Sequence, residues 1–331
     1  MEENVLNEPN LEEIRRNALE KEKQGIRRLS NAIGCAYCGV VALTNGWYTV
    51  AVLLAGIFGV SAKQFNEFVT NPAISCVFQI VLSSLFFIVP FSVLLKWGNF
   101  EIKEILPFGK PKKHLILPLV LLGTGVSAFS NVANNISGTI FLSLGFQNNY
   151  VEGEYPLGFF GFMLTFISTA ITPALVEEFG MRGVCLGTLR RYGDGFAIFC
   201  SSLLFGLIHG NFSQIVFAAF IGFAAGYATV KSGSIWLGVI IHFINNLISV
   251  IVYYLDVWLG TTSSQVIYMF MLVFSLLLGI WGIVMLSKRT DNALEVEENK
   301  TISSFKSKIG WFLTSPMIVV CFVLSILEAV L

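Results

Sequence analysis

The sequence predicts an all-α fold, a polytopic bundle of about eight or nine transmembrane helices with its chemistry in the middle of the chain, and three observations carry that reading. Of 331 residues, 55% are hydrophobic, 30 are phenylalanine and only 13% are charged, far from the average of soluble proteins. Apolar runs of the roughly 20 residues needed to cross a bilayer core recur from Ala32 onward. Lys and Arg gather on alternate connecting segments, as cytoplasmic loops do.

The first element is polar. Residues 1–30 alternate charges, NLEEIRRNALEKEKQGIRR, around the sparse apolar positions Leu11, Ile14, Leu19 and Ile26, a pattern that suits a solvated or surface-lying helix. We expect a cytoplasmic tail there. Spans are then expected at 32–60, 73–95, 114–145, 157–191, 195–210, 213–231, 234–255, 264–287 and 309–331. If they alternate, Arg27, Arg28, Lys103, Lys110, Lys112, Lys113, Arg190, Arg191, Lys231, Lys288, Arg289, Lys306 and Lys308 all fall on one side, while QNNYVEGEYP and DVWLGTTSSQ on the other contain neither Lys nor Arg. The expected localisation is therefore an integral protein of the plasma membrane with a cytoplasmic N-terminus.

The segment 157–191 is too long for a simple span and contains Thr172-Pro173. Proline suits a first helical turn and opposes continuation of a helix, so we expect a short apolar piece, a break, and a helix from Pro173 to about Arg191. Four groups of chain follow: a tail at 1–30, helices at 31–156, a helical core at 157–255 and further helices at 256–331.

Composition narrows function mainly by exclusion. The net charge is zero, so no electrostatic case for a nucleic-acid partner arises. The six cysteines lie in or beside apolar stretches without the clustering of a disulfide framework, and the Cys35–Cys38 pair lacks the further ligands that would complete a zinc site nearby.

What remains is a set of polar residues inside apolar helices. Each charge at the bilayer centre costs about 2.5–3.5 kcal/mol on insertion scales, so Glu177, Glu178 and Arg182 need partners. Glu178 and Arg182 are one turn apart with the acid first, the favourable order for an ion pair, and this pairing could serve only to neutralise the helix. Glu177, about 100° around that helix, is left for another task and suits a general base. Downstream, Phe205 precedes His209 by four residues, and His242 precedes Asn246 by four, so each pair shares a helix face. A lone buried histidine is usually a packed core residue, but two beside a Glu-Glu-Arg cluster are not an ordinary core. At about 1.5 Å per residue, Glu177 and His209 lie roughly 20 Å from the cytoplasmic ends of their helices, and His242 and Asn246 about 12 and 18 Å. All four can meet in one layer. His114 reads as interfacial, Gly222 and Gly226 as points of close helix approach, and Tyr227 and Trp236 as site walls or interface anchors.

In order and spacing, Glu177-Glu178-x3-Arg182, Phe205-x3-His209 and His242-x3-Asn246 resemble the motifs EExxxR, FxxxH and HxxxN/D of the CPBP intramembrane proteases, the CAAX protease and bacteriocin-processing (Abi) family. The resemblance covers about 157–255 and includes the SGSIW turn. It implies peptide-bond hydrolysis in or at the membrane, with Glu177 and His209 activating a water, His242 and Asn246 stabilising the oxyanion, Glu178 and Arg182 holding the helix, and Phe205 walling the substrate pocket. It implies as partners membrane lipid and a hydrophobic or lipidated peptide, of CAAX or bacteriocin type. On the cofactor it is divided: Glu177, His209 and His242 could form a His-His-Glu zinc set, yet no HExxH helix is present, and the expectation leans to no metal. The alternative reading is a non-proteolytic immunity factor, scaffold or transporter that uses the same polar pocket for binding.

Overall fold

The computed structural model describes residues 11–146, 154–289, 295–296 and 301–330, and among them every regular element is helical. In chain order these are α1 (Leu11–Ile57), α2 (Ala62–Val69), α3 (Pro72–Trp97), α4 (Ile102–Ile105), α5 (Lys113–Ser143), α6 (Gly158–Tyr192), α7 (Asp194–Leu207), α8 (Phe212–Ser232), α9 (Ile235–Leu259), α10 (Thr261–Ser287), α11 (Phe305–Leu313) and α12 (Pro316–Val330). Seven of them, α1, α3, α5, α6, α8, α9 and α10, are long and apolar enough to cross a membrane. The pair α11 and α12 makes an eighth span if counted as one, although it bends by 67°. The chain is a polytopic helical bundle.

Four elements differ in detail from the sequence expectation. The charged stretch and the first apolar run are one helix of 47 residues, α1. Its polar part is docked: Ile26 is fully buried, and the Glu22 carboxylate accepts from the backbone N–H groups of Ile302 and Ser303. The expected span at 195–210 is the 14-residue α7, about 21 Å long at 1.5 Å per residue and short of a 30 Å hydrocarbon core. The expected span at 309–331 is divided where Pro316, which has no N–H to donate backward, opens α12.

The break expected at Thr172-Pro173 is absent, because α6 absorbs the proline by widening. A π-helical stretch, Phe166–Ile171, immediately precedes it, and the Thr172 N–H and Oγ1–H both reach the Ile167 carbonyl, five residues back. In an ordinary helix the missing N–H of Pro173 would orphan the Thr169 carbonyl. That carbonyl instead accepts from Asn246 Nδ2 of α9, at 3.2 Å. A second π stretch, Phe179–Leu186, follows the acidic pair.

Helices approach closely where side chains are absent. A Cβ on Gly125 of α5 or Gly279 of α10 would strike the other's α-carbon. The basic helix ends are tied together at one end of the bundle. Arg27 donates to Thr314, Lys308 to the Tyr192 carbonyl, and Arg289 to the His114 carbonyl, while the Arg191 guanidinium lies over the Phe100 ring. Large apolar side chains point outward along α1, α3 and α10, among them Leu53, Leu85 and Phe270. The helices that carry the polar residues, α6 to α9, therefore sit behind an apolar exterior.

Candidate active site

Adjacent residues of α6 face different surroundings. Glu178 and Arg182 are fully buried, with Oε1 and Nη1 2.9 Å apart, close enough for an ion pair but off-line for a hydrogen bond. Room for them is made by glycines on neighbouring helices. A Cβ on Gly222 of α8 would lie 3.2 Å from Arg182 Nη2, and one on Gly238 of α9 would lie 2.9 Å from Glu178 Oε2. The guanidinium also stands 4.2 Å from the centre of the buried Phe205 ring, a cation–π contact. Phe205 is the hub of the cluster, since both histidine rings meet it edge-on, His209 at 5.1 Å and His242 at 5.4 Å between centroids.

His242 joins the two glutamates. Its Nδ1 is 3.0 Å from Glu178 Oε1, and its Nε2 is 3.9 Å from Glu177 Oε2. A carboxylate accepts, so Nδ1–H is the donor, and Nε2 is the nitrogen turned to Glu177. A gap of that size is too wide for a direct hydrogen bond and suits a shared water. His209 is fixed in a similar way. Its Nδ1 lies 2.8 Å from the Phe205 carbonyl, which can only accept, so the hydrogen is on Nδ1 and a neutral ring keeps its lone pair at Nε2.

Glu177 and His209 line one cavity of about 140 Å³ with Val40, Val41, Thr44, Phe87, Ile208 and Glu328. Glu177 also borders a larger space of about 890 Å³ between α1, α2 and α3, whose walls include Trp47, Tyr48, Phe78 and Phe86. The turn after His209 is held open by Gly210, at φ +58°, and by Asn211, whose side chain caps α8 by accepting from the Ser213 and Gln214 N–H groups.

Asn246 is further from free than its spacing suggested. One amide hydrogen goes to the Thr169 carbonyl, and its Oδ1 accepts from Asn245. Asn245, which the sequence reading passed over, is buried and accepts from Ser127 of α5 at 2.5 Å. The doublet Asn245-Asn246 within an apolar helix was the available signal. Two more residues escaped notice, Asn45 on α1 and Glu328 on α12, which are hydrogen-bonded to one another. Glu328 is the single acid in SPMIVVCFVLSILEAVL, and an ionisable residue in such a run is a functional candidate by default.

Among the described residues no group of three or more His, Cys, Asp or Glu side chains is arranged to hold an ion. Nδ1 of the two histidines is held by Glu178 and by the Phe205 carbonyl, which leaves Nε2 as the open nitrogen of each ring.

Residues 159–248 match one protein-family model, Rce1-like: Type II CAAX prenyl endopeptidase Rce1-like. Neither the curated proteins nor the solved structures contain a match to the chain. The matched segment runs along α6 to α9, the helices that bring the buried His242, Glu177 and Glu178 together in a cluster suited to peptide hydrolysis. On that agreement between family and geometry, residues 159–248 are a Rce1-like CAAX protease domain of the CPBP (Abi) type, and the chain is a membrane-embedded peptidase.

Proposed function

We propose that the domain hydrolyses a peptide bond in a hydrophobic or lipidated, membrane-associated peptide, with Glu177 and His209 activating the attacking water. The observation that carries this is the shared cavity: Glu177, the acid of the pair that Arg182 does not hold, lines the same small space as His209. A water there would give one hydrogen to the Glu177 carboxylate and the other, as a hydrogen bond, to His209 Nε2. As its oxygen attacks the carbonyl carbon, Glu177 takes the proton. It returns that proton to the leaving nitrogen when the C–N bond breaks.

Charge develops on the carbonyl oxygen, and His242 Nε2 is the nearest ring nitrogen to Glu177. To donate to an oxyanion, Nε2 must carry a hydrogen while Nδ1–H remains on Glu178, so His242 acts as imidazolium. Its charge and that of Arg182 then balance the two glutamates, which lets the group sit in an apolar interior. Asn246 keeps a second amide hydrogen for the same oxygen. The 890 Å³ space beside Glu177, with its aromatic walls, suits the apolar part of a substrate. We also assign the N-terminus to the cytoplasm, because the basic helix ends cluster at the end where α1 begins its apolar course.

The test is comparison of membrane-peptide fragments from cells carrying the native protein and its Glu177→Gln variant. Fragments present only with the native chain support the proposal. Identical fragments in both, with the two proteins equally abundant and folded, would overturn it.

A further inference from the structure

We propose that Glu328 of α12 is a specificity residue that selects a positively charged group, a Lys or Arg side chain or an α-amino group, within a residue or two of the scissile bond. The inference rests on the hydrolytic reading above and deepens it. It comes from a wall of the site that lies outside the family-matched segment.

Glu328 borders two adjoining spaces. One is the 140 Å³ cavity that holds Glu177 and His209, and the other is a cavity of about 710 Å³ between α1, α12 and the His209–Gly210 turn. Both share Val41, Thr44, Ile208 and His209, so a peptide in one adjoins the other. A cavity of 140 Å³, if round, is roughly 6 Å across, less than two extended residues.

The carboxylate is oriented but not neutralised. Asn45 Nδ2 donates to Oε1, which fixes the plane of the group. Oε2 lies over Gly210, 2.8 Å from where a Cβ would stand, and accepts no hydrogen bond from any described residue. No Lys or Arg lines either space. The surroundings are otherwise largely apolar: Val41, Ala42, Ile208, Leu324 and Leu327. Glu328 is half-buried at the edge of these spaces, where a carboxylate and a substrate cation attract one another more strongly than in bulk water. Glycine at 210 keeps Oε2 reachable beside the turn that presents His209. With Glu177 and Glu328 both facing it, a basic substrate group is attracted and an acidic one repelled.

The test uses the purified protein in lipid vesicles and three hydrophobic peptides, identical except for Lys, Gln or Glu at one position, with that position moved stepwise across the cleaved region. The expected result for the native chain is cleavage in the order Lys, Gln, Glu at one position, with kcat/KM for Lys at least about tenfold above Glu, the scale of a charge-assisted contact. In Glu328→Gln the Lys-to-Glu ratio should fall towards one, and in Glu328→Lys it should invert. The ratio is taken within one protein, so partial misfolding cancels. The same peptides are titrated onto Glu177→Gln protein, with and without Glu328→Gln, to read binding without turnover. A native chain indifferent to peptide charge, or a Lys preference that survives Glu328→Gln, overturns the assignment of Glu328 while leaving the peptidase reading in place. If no peptide is cleaved yet binding still favours Lys through Glu328, hydrolysis by Glu177 is what fails.

Discussion

Glu177 and Glu178 are neighbours in sequence and nearly opposite in circumstance. Glu178 is fully enclosed, held by Arg182 and His242 and backed by the bare backbone of Gly238. Glu177 keeps 17% of its side chain exposed, faces His242 across 3.9 Å and opens onto two cavities. One peptide unit along a helix therefore separates a dry charge, sealed in by its partners, from one on the wet, cavity-facing side. The difference comes from what the neighbouring helices place against each carboxylate, not from the residue type.

Substitutions can break that contrast or sharpen it. The largest effect expected is on rate: Glu177→Gln should slow cleavage by about 10²–10⁴-fold, the usual worth of a general base, with the thermal unfolding of the detergent-solubilised protein unchanged. Arg182→Ala should do the reverse, lowering stability by about 3–5 kcal/mol because the buried Glu178 loses its guanidinium partner and keeps only His242. Unfolding in graded detergent would measure it. If Arg182→Ala unfolds like the native protein but is inactive, the division into a dry and a wet side is mistaken. Gly238→Ala should cost about 1–3 kcal/mol, since its Cβ would press on Thr229 Oγ1 and Glu178 Oε2 at 2.8 and 2.9 Å. The smallest change expected is from Ser127→Ala, which removes the donor to Asn245 and should cost about 0.5–1.5 kcal/mol with a minor change in rate.

The helical class was legible because length and apolarity alone decide what a bilayer accepts, and the ion pair was legible because Glu178 and Arg182 share one helix. What required coordinates was tertiary. Pro173 looks like a break until Thr169 finds a donor on α9, more than seventy residues away. His242, by spacing, belongs with Asn246. In space its first partner is Glu178, through a contact no helical periodicity encodes. Asn45 and Glu328 are 283 residues apart in the chain, and only the packing of α1 against α12 brings them together at the site.

That last packing has a bearing on biosynthesis. The side of the cavity made by Asn45 and Glu328, and the neighbouring bond between Tyr37 and Ser325, join residues 283 and 288 positions apart. At about 5–20 residues per second, a ribosome takes roughly 15–60 s to bridge that interval. Glu177, His209 and His242 would by then be threaded into the bilayer with one wall of their chamber still missing. The wall made by α12 is therefore added only after those three residues are in place. Thiol cross-linking of Cys38 to Cys321, whose sulfurs lie 3.9 Å apart, would time the closure on ribosome-bound intermediates of graded length.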